Sequence, residues 1–483
     1  MAGNILSTLF GTNPSRTTAT VPIPAQKTVA GVMHVVIFGA GLVGTALGRH
    51  IADQGHDVWF IESNPETVHK LRERYDVQIV QGSAEDPKVL EEAGISRADL
   101  VLVVTNFDKT NIILTLIARS LNPTARIIMR LRGEEYLNNK LLWQSANLAD
   151  TVIISPEHSV IEKAMAILEV QQAFDVAEFA DGAIRVAGFR LEEDSPLIGK
   201  PLKEAVPRFD RRILVVTVDR DGAVFVPTGN TALRIGDRVF VTVLAGVNMA
   251  ALLSVFGKEY RTQPKFVLAG GTSIGVSIAK ELEAKGHEPV LLEPDFNRCR
   301  ELAAELKETV IIHGDVADTG LLQRIVNKDT IFLSVTPTQE VNFLVSMLAR
   351  KLGAVRAITM MDNEAYMAMA PSLDVDAVLS PRLSAVGAIL RYIHMGRILD
   401  SAMLLGGQIN LLLVELESGS KLDGIPIRQV AFPSGVLIAA AIQAGRAVVP
   451  HGEMILHAGD RVLLVTPILK TLSTLNELIV QKH

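Results

Sequence analysis

The chain has 483 residues, of which 48% are hydrophobic and only 5% aromatic, and its formal net charge is −6. This length exceeds one ordinary core and predicts about three or four domains. The acidic balance argues against nucleic acid as a partner, since phosphate binding needs a basic face. The single cysteine, Cys299, excludes intramolecular disulfides and cysteine-cluster metal sites, and the sequence lacks an apolar run of about 18 residues that would predict a membrane span.

The first segment differs in composition from the rest. Residues 1–32 are rich in Ser, Thr, Pro and Ala, and their only charged side chains are Arg16 and Lys27. Such a composition predicts a disordered tail over 1–32. A processed targeting peptide is the alternative, but a basic start followed by a continuous apolar core is missing.

Short apolar runs alternate with helical stretches after residue 33. Strands are predicted at 34–38, 58–61, 77–80, 100–104, 126–129 and 151–154, and helices at 42–53, 65–74, 87–93 and 110–121. This alternation predicts an α/β domain with a doubly wound, Rossmann-like parallel sheet and right-handed crossovers. Further on, "RILVVTVDRDGAVFV" (212–226) predicts a hairpin at "RDG" and a small α+β domain.

The same plan then occurs a second time. "HVVIFGAGLVGTALGRHIADQGHDVWFIE" (34–62) aligns without a gap to "KFVLAGGTSIGVSIAKELEAKGHEPVLLE" (265–293). "VFVPTGNTALRIGDRVFVTV" (224–243) likewise resembles "AVVPHGEMILHAGDRVLLVT" (447–466). The chain is therefore a tandem duplication of a two-domain unit. The predicted domains are Rossmann-type at 33–155 and 264–380, and small α+β at 175–257 and 400–483.

A glycine-rich loop follows the first strand and opens a helix. Its residues are Gly39, Ala40, Gly41, Leu42, Val43 and Gly44. The glycines permit a tight turn, a close approach of pyrophosphate and tight helix packing, and the helix N-terminus favours an anion. Glu62 ends the second strand, where a carboxylate accepts ribose hydroxyls and repels a 2′-phosphate, so NAD(H) or an adenosine nucleotide is favoured over NADP. The alternative is that the glycines only close a turn in an empty domain.

The second copy changes some of this chemistry. Its loop and ribose-binding carboxylate are predicted at Gly270, Gly271, Thr272, Ser273, Ile274, Gly275 and Glu293. Thr272 replaces Gly41 and adds a side chain where pyrophosphate would pass. Met360 replaces Arg130, which is a candidate phosphate ligand at the end of the fifth strand, or alternatively a solvated surface residue. We therefore expect unequal sites, with the first one tighter.

Three further residues are candidates for nucleotide contacts. Thr105 and Asn106 end the fourth strand, near the point where strand order should reverse, so they can contact a ribose. They can equally form a capped loop that enters the next helix. Asp315, which follows "VIIHG", is a candidate for an adenine or ribose contact in the second site, where Ser83 is its counterpart in the first copy.

Several segments, in this order and twice over, carry a resemblance to a known family. They include "GAGLVG", "AGISRADLVLVVTNFDKTN", "ISPEHSVIEKAM", "SPLIGKPLKEAV" and "PTGNTALRIGDRVFV". The region 34–483 resembles the TrkA family, the peripheral NAD-binding subunits of Trk potassium-uptake systems. That family has two tandem RCK units, each a Rossmann-type domain followed by a small C-terminal domain. The departures are the N-terminal extension, Thr272 and Met360.

The resemblance implies a regulatory role rather than a pore or an enzyme. It implies binding of NAD(H) and of ATP or ADP, and a location at the cytoplasmic face of the plasma membrane. The implied partner is a membrane potassium channel subunit that is TrkH-like, and a ring of eight units implies a homotetramer. The alternatives are an NAD-dependent oxidoreductase, which would need an acid/base residue beside the nicotinamide, and a nucleotide sensor with another partner.

Overall fold

The computed structural model describes residues 32–53, 55–75, 77–137, 139, 143, 148, 150–205, 212–369, 375–393 and 398–466. All but the last residue of the predicted N-terminal tail, and the end of the second small domain from 467 to 483, lie outside these described residues. Within the described ranges, each helix is too short or too polar to traverse a lipid bilayer.

The first half opens with a six-stranded parallel sheet in the order β3-β2-β1-β4-β5-β6. Every residue of the central strands β1 and β4 is buried, as expected for a sheet covered by helices on both faces. The predicted strands and helices are confirmed to within about two residues at each end. The elements are β1 (His34–Phe38), α1 (Leu42–Asp53), β2 (Asp57–Glu62), α2 (Pro65–Arg74), β3 (Gln78–Gln81), α3 (Pro87–Glu92), β4 (Leu100–Val103), α4 (Asp108–Leu121), β5 (Arg126–Arg130), α5 (Glu134–Leu137), β6 (Val152–Ile154) and α6 (Pro156–Glu169).

Local sequence explains where several of these helices begin. Asn64, Asp86 and Ser155 each precede a proline, and each side chain accepts a hydrogen bond from a backbone N–H of the first helical turn. The cap satisfies an N–H without an intrahelical partner, and proline at the first helical position already has a helical φ. The three helices α2, α3 and α6 therefore have starts that local sequence specifies.

The second half repeats this sheet with the order β14-β13-β12-β15-β16-β17. The repetition confirms the duplication that the sequence predicts. The elements are β12 (Lys265–Ala269), α9 (Ser273–Ala284), β13 (Val290–Glu293), α10 (Phe296–Glu305), β14 (Val310–His313), α11 (Thr319–Ile325), β15 (Thr330–Ser334), α12 (Gln339–Lys351), β16 (Arg356–Met360), α13 (Glu364–Met369), β17 (Ala377–Leu379) and α14 (Pro381–Ile393).

Each parallel sheet is followed by a five-stranded antiparallel sheet, in the orders β10-β9-β11-β8-β7 and β18-β19-β22-β20-β21. The "RDG" hairpin is confirmed: Asp221 and Gly222 have φ of +53° and +84° and join two antiparallel strands. The elements are β7 (Asp175–Phe179), β8 (Ile184–Arg190), α7 (Leu202–Ala205), β9 (Ile213–Arg220), β10 (Ala223–Phe225), β11 (Arg238–Leu244) and α8 (Met249–Val255), then β18 (Ile398–Leu404), β19 (Ile409–Glu415), β20 (Leu437–Gln443), β21 (Arg446–Val448) and β22 (Arg461–Thr466).

The two small domains share one apolar core. Phe179 and Phe240 of the first sheet are buried in the same cluster as Leu411 and Leu463 of the second. The backbone N–H of Leu405 also donates to a carboxylate oxygen of Asp175, at 2.8 Å. The small domains are thus packed against each other through sheet faces that would otherwise expose apolar side chains to water.

The two halves also exchange helices, in the sense that a helix of each half packs against the helix that follows the glycine loop of the other half. Helix α6 of the first half packs against α9 of the second, and α14 of the second half packs against α1 of the first. Ile167 of α6 shares a core with Ile278 of α9, and Ile389 of α14 shares a core with Leu47 of α1. Each helix that begins at the glycine loop is therefore buried against a helix of the opposite half.

A buried arginine fixes one of these exchanged helices. Arg356, at the start of β16, is only 2% exposed, and its guanidinium donates to the carbonyl oxygens of Ile167, at 3.0 Å, and Ala173. Burial lowers the pKa of Arg356 to about 10, so its guanidinium stays charged at neutral pH. Burial raises the pKa of the nearby Asp376 carboxyl, which accepts from the N–H of Ala357 at 2.7 Å. The cation thus caps the C-terminal end of α6 from the other half.

We expect the substitution Arg356→Met to lower the free energy of unfolding by about 3 kcal/mol, because it leaves the carbonyl oxygens of Ile167 and Ala173 without their donor. Urea denaturation followed by circular dichroism measures this change. The matched control is Arg300→Met at an exposed position of α10, which should change the stability by less than about 0.5 kcal/mol. Equal stability of the two variants would contradict the capping role.

A second expectation concerns pH. His50 of α1 lines a small cavity with Leu390, Met403 and Leu411 of the second half, and burial lowers its pKa to about 4. Below the ordinary histidine pKa, about 6.5, the unfolded chain binds a proton that the folded chain does not, so stability falls as the pH falls. Between pH 7.5 and 5.5 this amounts to about 1 kcal/mol.

Urea denaturation at these two pH values should show a smaller loss of stability in His50→Gln than in the unsubstituted chain. The control is His69→Gln, because the side chain of His69 is 73% exposed, and it should keep the full pH dependence. An identical pH dependence in all three proteins would show that His50 does not contribute.

Candidate functional site

The glycine loop of the first half lies at the carboxyl edge of its sheet, where β2 and β4 flank β1 on opposite sides. This is the strand-order reversal at which α/β sheets bind ligands. Gly39 has a φ of +95°, and a Cβ at Gly44 would lie 2.1 Å from the Gly39 carbonyl oxygen. A Cβ at Gly41, by contrast, would meet nothing within 4 Å. The fold therefore needs Gly39 and Gly44, whereas the missing side chain at Gly41 leaves space in the crevice.

A carboxylate stands beside this loop in a fixed position. One oxygen of Glu62, Oε2, accepts from the N–H of Ala40 at 2.9 Å, and the other, Oε1, accepts from the N–H of Asn64 at 2.9 Å. A carboxylate oxygen has more than one acceptor site, so ribose hydroxyls can still donate to it. The first turn of α1, which starts at the exposed Leu42 and the buried Val43, supplies backbone N–H groups to an anion.

A buried asparagine that the sequence analysis missed connects the loops after β4 and β5. The N–H and the hydroxyl of Thr105 both donate to Oδ1 of Asn111, at 3.1 and 2.5 Å. Nδ2 of Asn111 donates to the carbonyl oxygens of Thr105, at 3.1 Å, and Arg130, at 2.9 Å. The second half has an asparagine, Asn342, at the position that corresponds to Asn111. This repetition is the sequence signal that could have identified Asn111. Thr105 is thereby held against Gly39. A Cβ added at Gly39 would lie 3.1 Å from the Cα of Thr105.

Arg130 is a buried cation at the edge of this crevice. It is only 8% exposed, its Nη1 lies 3.4 Å from Oδ1 of Asn106, and its Nε is buried without a hydrogen-bond partner among the described residues. Burial, with Arg132 nearby, lowers its pKa, and Glu157, Asp108 and Asp362 counteract that shift. Its burial does not fit the alternative of a solvated surface arginine. A buried guanidinium with an unused donor suits a phosphate ligand.

The loop of the second half has the same backbone conformation, but a threonine side chain occupies one of its backbone N–H groups. Gly270 has a φ of +114°, and a Cβ at Gly275 would lie 2.2 Å from the Gly270 carbonyl oxygen. The hydroxyl of Thr272 accepts from the N–H of Gly275 at 3.2 Å and donates to the carbonyl oxygen of Val335 at 2.9 Å. Thr272 thus caps α9 and uses an N–H of the helical turn that would otherwise face an anion.

The carboxylate beside the glycine loop is also present in the second half. Oε2 of Glu293 accepts from the N–H of Gly271 at 2.8 Å, and Oε1 accepts from the N–H of Asp295 at 2.9 Å, as in the first half. Asp315 is exposed after β14, and its Oδ1 accepts from the N–H of Ala317 at 2.9 Å. The second crevice therefore offers Glu293 in the same setting as Glu62, but with Met360 in the place of Arg130.

The structure brings each set of predicted residues together at the carboxyl edge of its own sheet. Ser273 and Ile274 begin α9, as Leu42 and Val43 begin α1. Asp108, which follows Thr105 and Asn106 at the start of α4, has a structural role, because its Oδ2 accepts from the N–H groups of Arg132, at 3.0 Å, and Gly133, at 2.7 Å.

The two glycines of the first loop should respond differently to a side chain. We expect Gly44→Val to lower the free energy of unfolding by at least about 2 kcal/mol, because its Cβ would overlap the Gly39 carbonyl. Gly41→Val should remain within about 0.5 kcal/mol of the unsubstituted chain. Urea denaturation distinguishes these outcomes, and equal destabilisation by the two substitutions would mean that Gly41 also serves the fold.

Family comparisons agree with this architecture. The model described as the TrkA-N domain matches residues 35–156 and 266–381, and the TrkA-C domain model matches residues 186–251 and 411–468. The Trk system potassium uptake protein TrkA of Halomonas elongata is 30% identical over 439 residues, which cover 89% of this chain and 95% of the relative. The TrkA homolog of Archaeoglobus fulgidus is 29% identical over 434 residues, covering 89% of this chain and 97% of the relative.

Solved structures show the same fold. The GsuK channel superposes with a TM-score of 0.57 at 18% identity, over 91% of this chain and 78% of the channel chain. The GsuK channel bound to NAD gives a TM-score of 0.56 at 18% identity, over 94% of this chain and 80% of that one. The two matched domain types, each present twice and together spanning most of the sequence, show that the chain belongs to the TrkA family of Trk-system potassium uptake proteins.

Proposed function

We propose that this chain is a nucleotide-binding regulatory subunit that controls a membrane potassium channel or transporter, TrkH-like, from the cytoplasmic face of the plasma membrane. Its ligands are NAD(H) and ATP or ADP, bound in the crevices at the glycine loops. The observation that carries the proposal is the first crevice, which combines open space at Gly41, the fixed carboxylate of Glu62 and the buried guanidinium of Arg130.

The two ends of a nucleotide fit different parts of this crevice. The diphosphate takes the space at Gly41 and the N–H groups at the start of α1, and Arg130 neutralises part of its charge. The adenosine ribose donates its hydroxyls to Glu62, and Thr105 and Asn106 line the opposite side. The second crevice binds more weakly, because the Thr272 hydroxyl already uses the Gly275 N–H and Met360 provides no charge.

Binding rather than catalysis is the role that suits these groups. Both oxygens of Glu62 accept from backbone amides, so its carboxylate is held in one position and can accept ribose hydroxyls through its remaining lone pairs. Arg130 can offer charge and hydrogen-bond donors but not a transferable proton, since an arginine does not lose its proton in proteins. We propose that the nucleotide is an effector and is released unchanged.

The helix exchange provides a route from the crevice to the rest of the molecule. A nucleotide contacts the N-terminus of α1, α1 packs against α14, and α14 leads into the second small domain. A nucleotide shifts the equilibrium between two arrangements only if it binds them with different affinity. Four chains forming a ring of eight two-domain units would transmit this shift to the membrane subunit.

The substitution Gly41→Val in the full-length chain tests the nucleotide site. We expect it to weaken the tighter of the NADH and ADP binding events by at least about tenfold, because a side chain fills the space for the diphosphate. Isothermal titration calorimetry measures the affinity. The control, Gly229→Val, lies in an exposed loop of the first small domain where a Cβ meets only the Lys203 Cβ, at 3.6 Å.

The same variants test the regulatory role in cells. In a strain whose potassium uptake depends on this chain, Gly41→Val should change the rate of uptake and Gly229→Val should not. Unchanged NADH and ADP affinity together with unchanged uptake in Gly41→Val would refute the proposed function. Steady consumption of NADH by the purified chain would instead indicate an oxidoreductase.

A further inference from the structure

The second crevice carries an aromatic pair on the side where a nucleobase would lie. In this sheet the glycine loop follows β12, Glu293 ends the neighbouring strand β13, and the next strand outward is β14. A nucleotide with its phosphates at the glycine loop and its ribose at Glu293 therefore extends its base toward the loops that follow β13 and β14.

Phe296 and His313 occupy that position. Phe296 is the first residue of α10 and is 60% exposed, which is unusual for a side chain of its size. His313 is the last residue of β14, and the two ring centroids are 5.5 Å apart at an angle of 74°. An edge-to-face contact of this kind fixes the orientation of a ring without covering all of its surface.

The backbone around the two rings is firmly held. The carboxylate of Asp295 caps α10 by accepting from the N–H groups of Asn297, at 2.7 Å, and Arg298, at 3.1 Å. A ring nitrogen of His313, Nε2, lies 3.1 Å from the carbonyl oxygen of Pro294. An exposed aromatic ring on a rigid support, next to a carboxylate suited to ribose, is the arrangement that stacks a base at low entropic cost.

The corresponding positions of the first half carry no aromatic pair. Pro65 is the first residue of α2, the place that Phe296 has in α10. Gln81 pairs with Glu62 across the strands, as His313 pairs with Glu293. The aromatic pair therefore occurs in the half in which Thr272 and Met360 weaken the phosphate side.

Arg298, a cation beside the second glycine loop, is already engaged by acceptors of the protein. Nε of Arg298 donates to the carbonyl oxygen of Gly271 at 3.2 Å, and its Nη1 donates to Glu301 at 2.7 Å. These donors already serve acceptors of the protein, whereas Nε of Arg130 is buried without an acceptor in the part of the chain that the structure describes.

We propose that the second crevice recognises adenine nucleotides through their base and ribose, with the base stacked on Phe296, and that its affinity depends little on the number of phosphates. The first crevice recognises the phosphates instead. This inference rests on the proposed function and assigns a distinct ligand preference to the second of its two sites.

Calorimetric titration of the full-length chain carrying Gly41→Val, which blocks the first crevice, tests the proposal with AMP, ADP and UDP. AMP and ADP should bind with affinities within about threefold of each other, and UDP more weakly, because its smaller base stacks less. Phe296→Ala should weaken AMP and ADP binding by about tenfold, and Phe296→Trp should retain it. The matched control, Pro65→Ala on the blocked half, should have no effect.

The outcomes separate this inference from the proposed function. Unchanged AMP affinity in Phe296→Ala, a strong preference for ADP over AMP, or the absence of any binding in the Gly41→Val background would overturn the base-recognition site. If Gly41→Val keeps the full NADH affinity of the unsubstituted chain while Phe296→Ala removes AMP binding, the proposed role of the first crevice fails and the aromatic site stands.

Discussion

The packing of each exchanged helix against the opposite half is the constraint on which the rest of the structure depends. Helices α1 and α9 begin at the glycine loops, and each needs a partner for its apolar face. That partner is α14 for α1 and α6 for α9. Because both contacts bury aliphatic side chains such as Leu47 and Ile278, a separated half would expose them to water. The crevices therefore cannot be treated as properties of independent domains.

The two crevices combine a shared backbone with different side chains. Both halves preserve the positive φ at the first glycine, the close helix packing at the last glycine and a carboxylate held by two amides. The differences are in side chains at the loop and after the second strand, such as Thr272 and Phe296. A second difference is a reversal of charge: Arg132 lies 3.5 Å from Glu157 in the first half, whereas Asp362 accepts from the N–H of Arg382 in the second.

Periodicity and spacing were sufficient to predict the strands of the first parallel sheet, four of its helices and both glycine loops, because local sequence determines those features. The loop "GAGLVG" after an apolar strand, with Glu62 at the end of the next one, has a short-range geometry that few folds share. The hairpin at Asp221 and Gly222 was predictable for the same reason, since only certain residues adopt two successive left-handed conformations.

Contacts between distant residues were not predictable in this way. Asn111 reads as an ordinary helical residue until its amide is seen between the ends of two strands. Arg356 and Ile167 are far apart in the chain, and the alternation of strands and helices does not indicate which half a crossover helix will cover. The burial of Arg130 likewise results from the assembled sheet, so the sequence left its environment open between a phosphate ligand and a surface residue.

The covalent fusion of the two units has a consequence for how the sites diverge. In a pair of identical chains, a codon change at the third loop position would alter both crevices together, and neither could specialise without the other. Here Thr272 and Phe296 each belong to one crevice only, and every molecule carries one copy of each type in fixed proportion. Fusion thus makes an asymmetric pair heritable, with no need for two different chains to find each other.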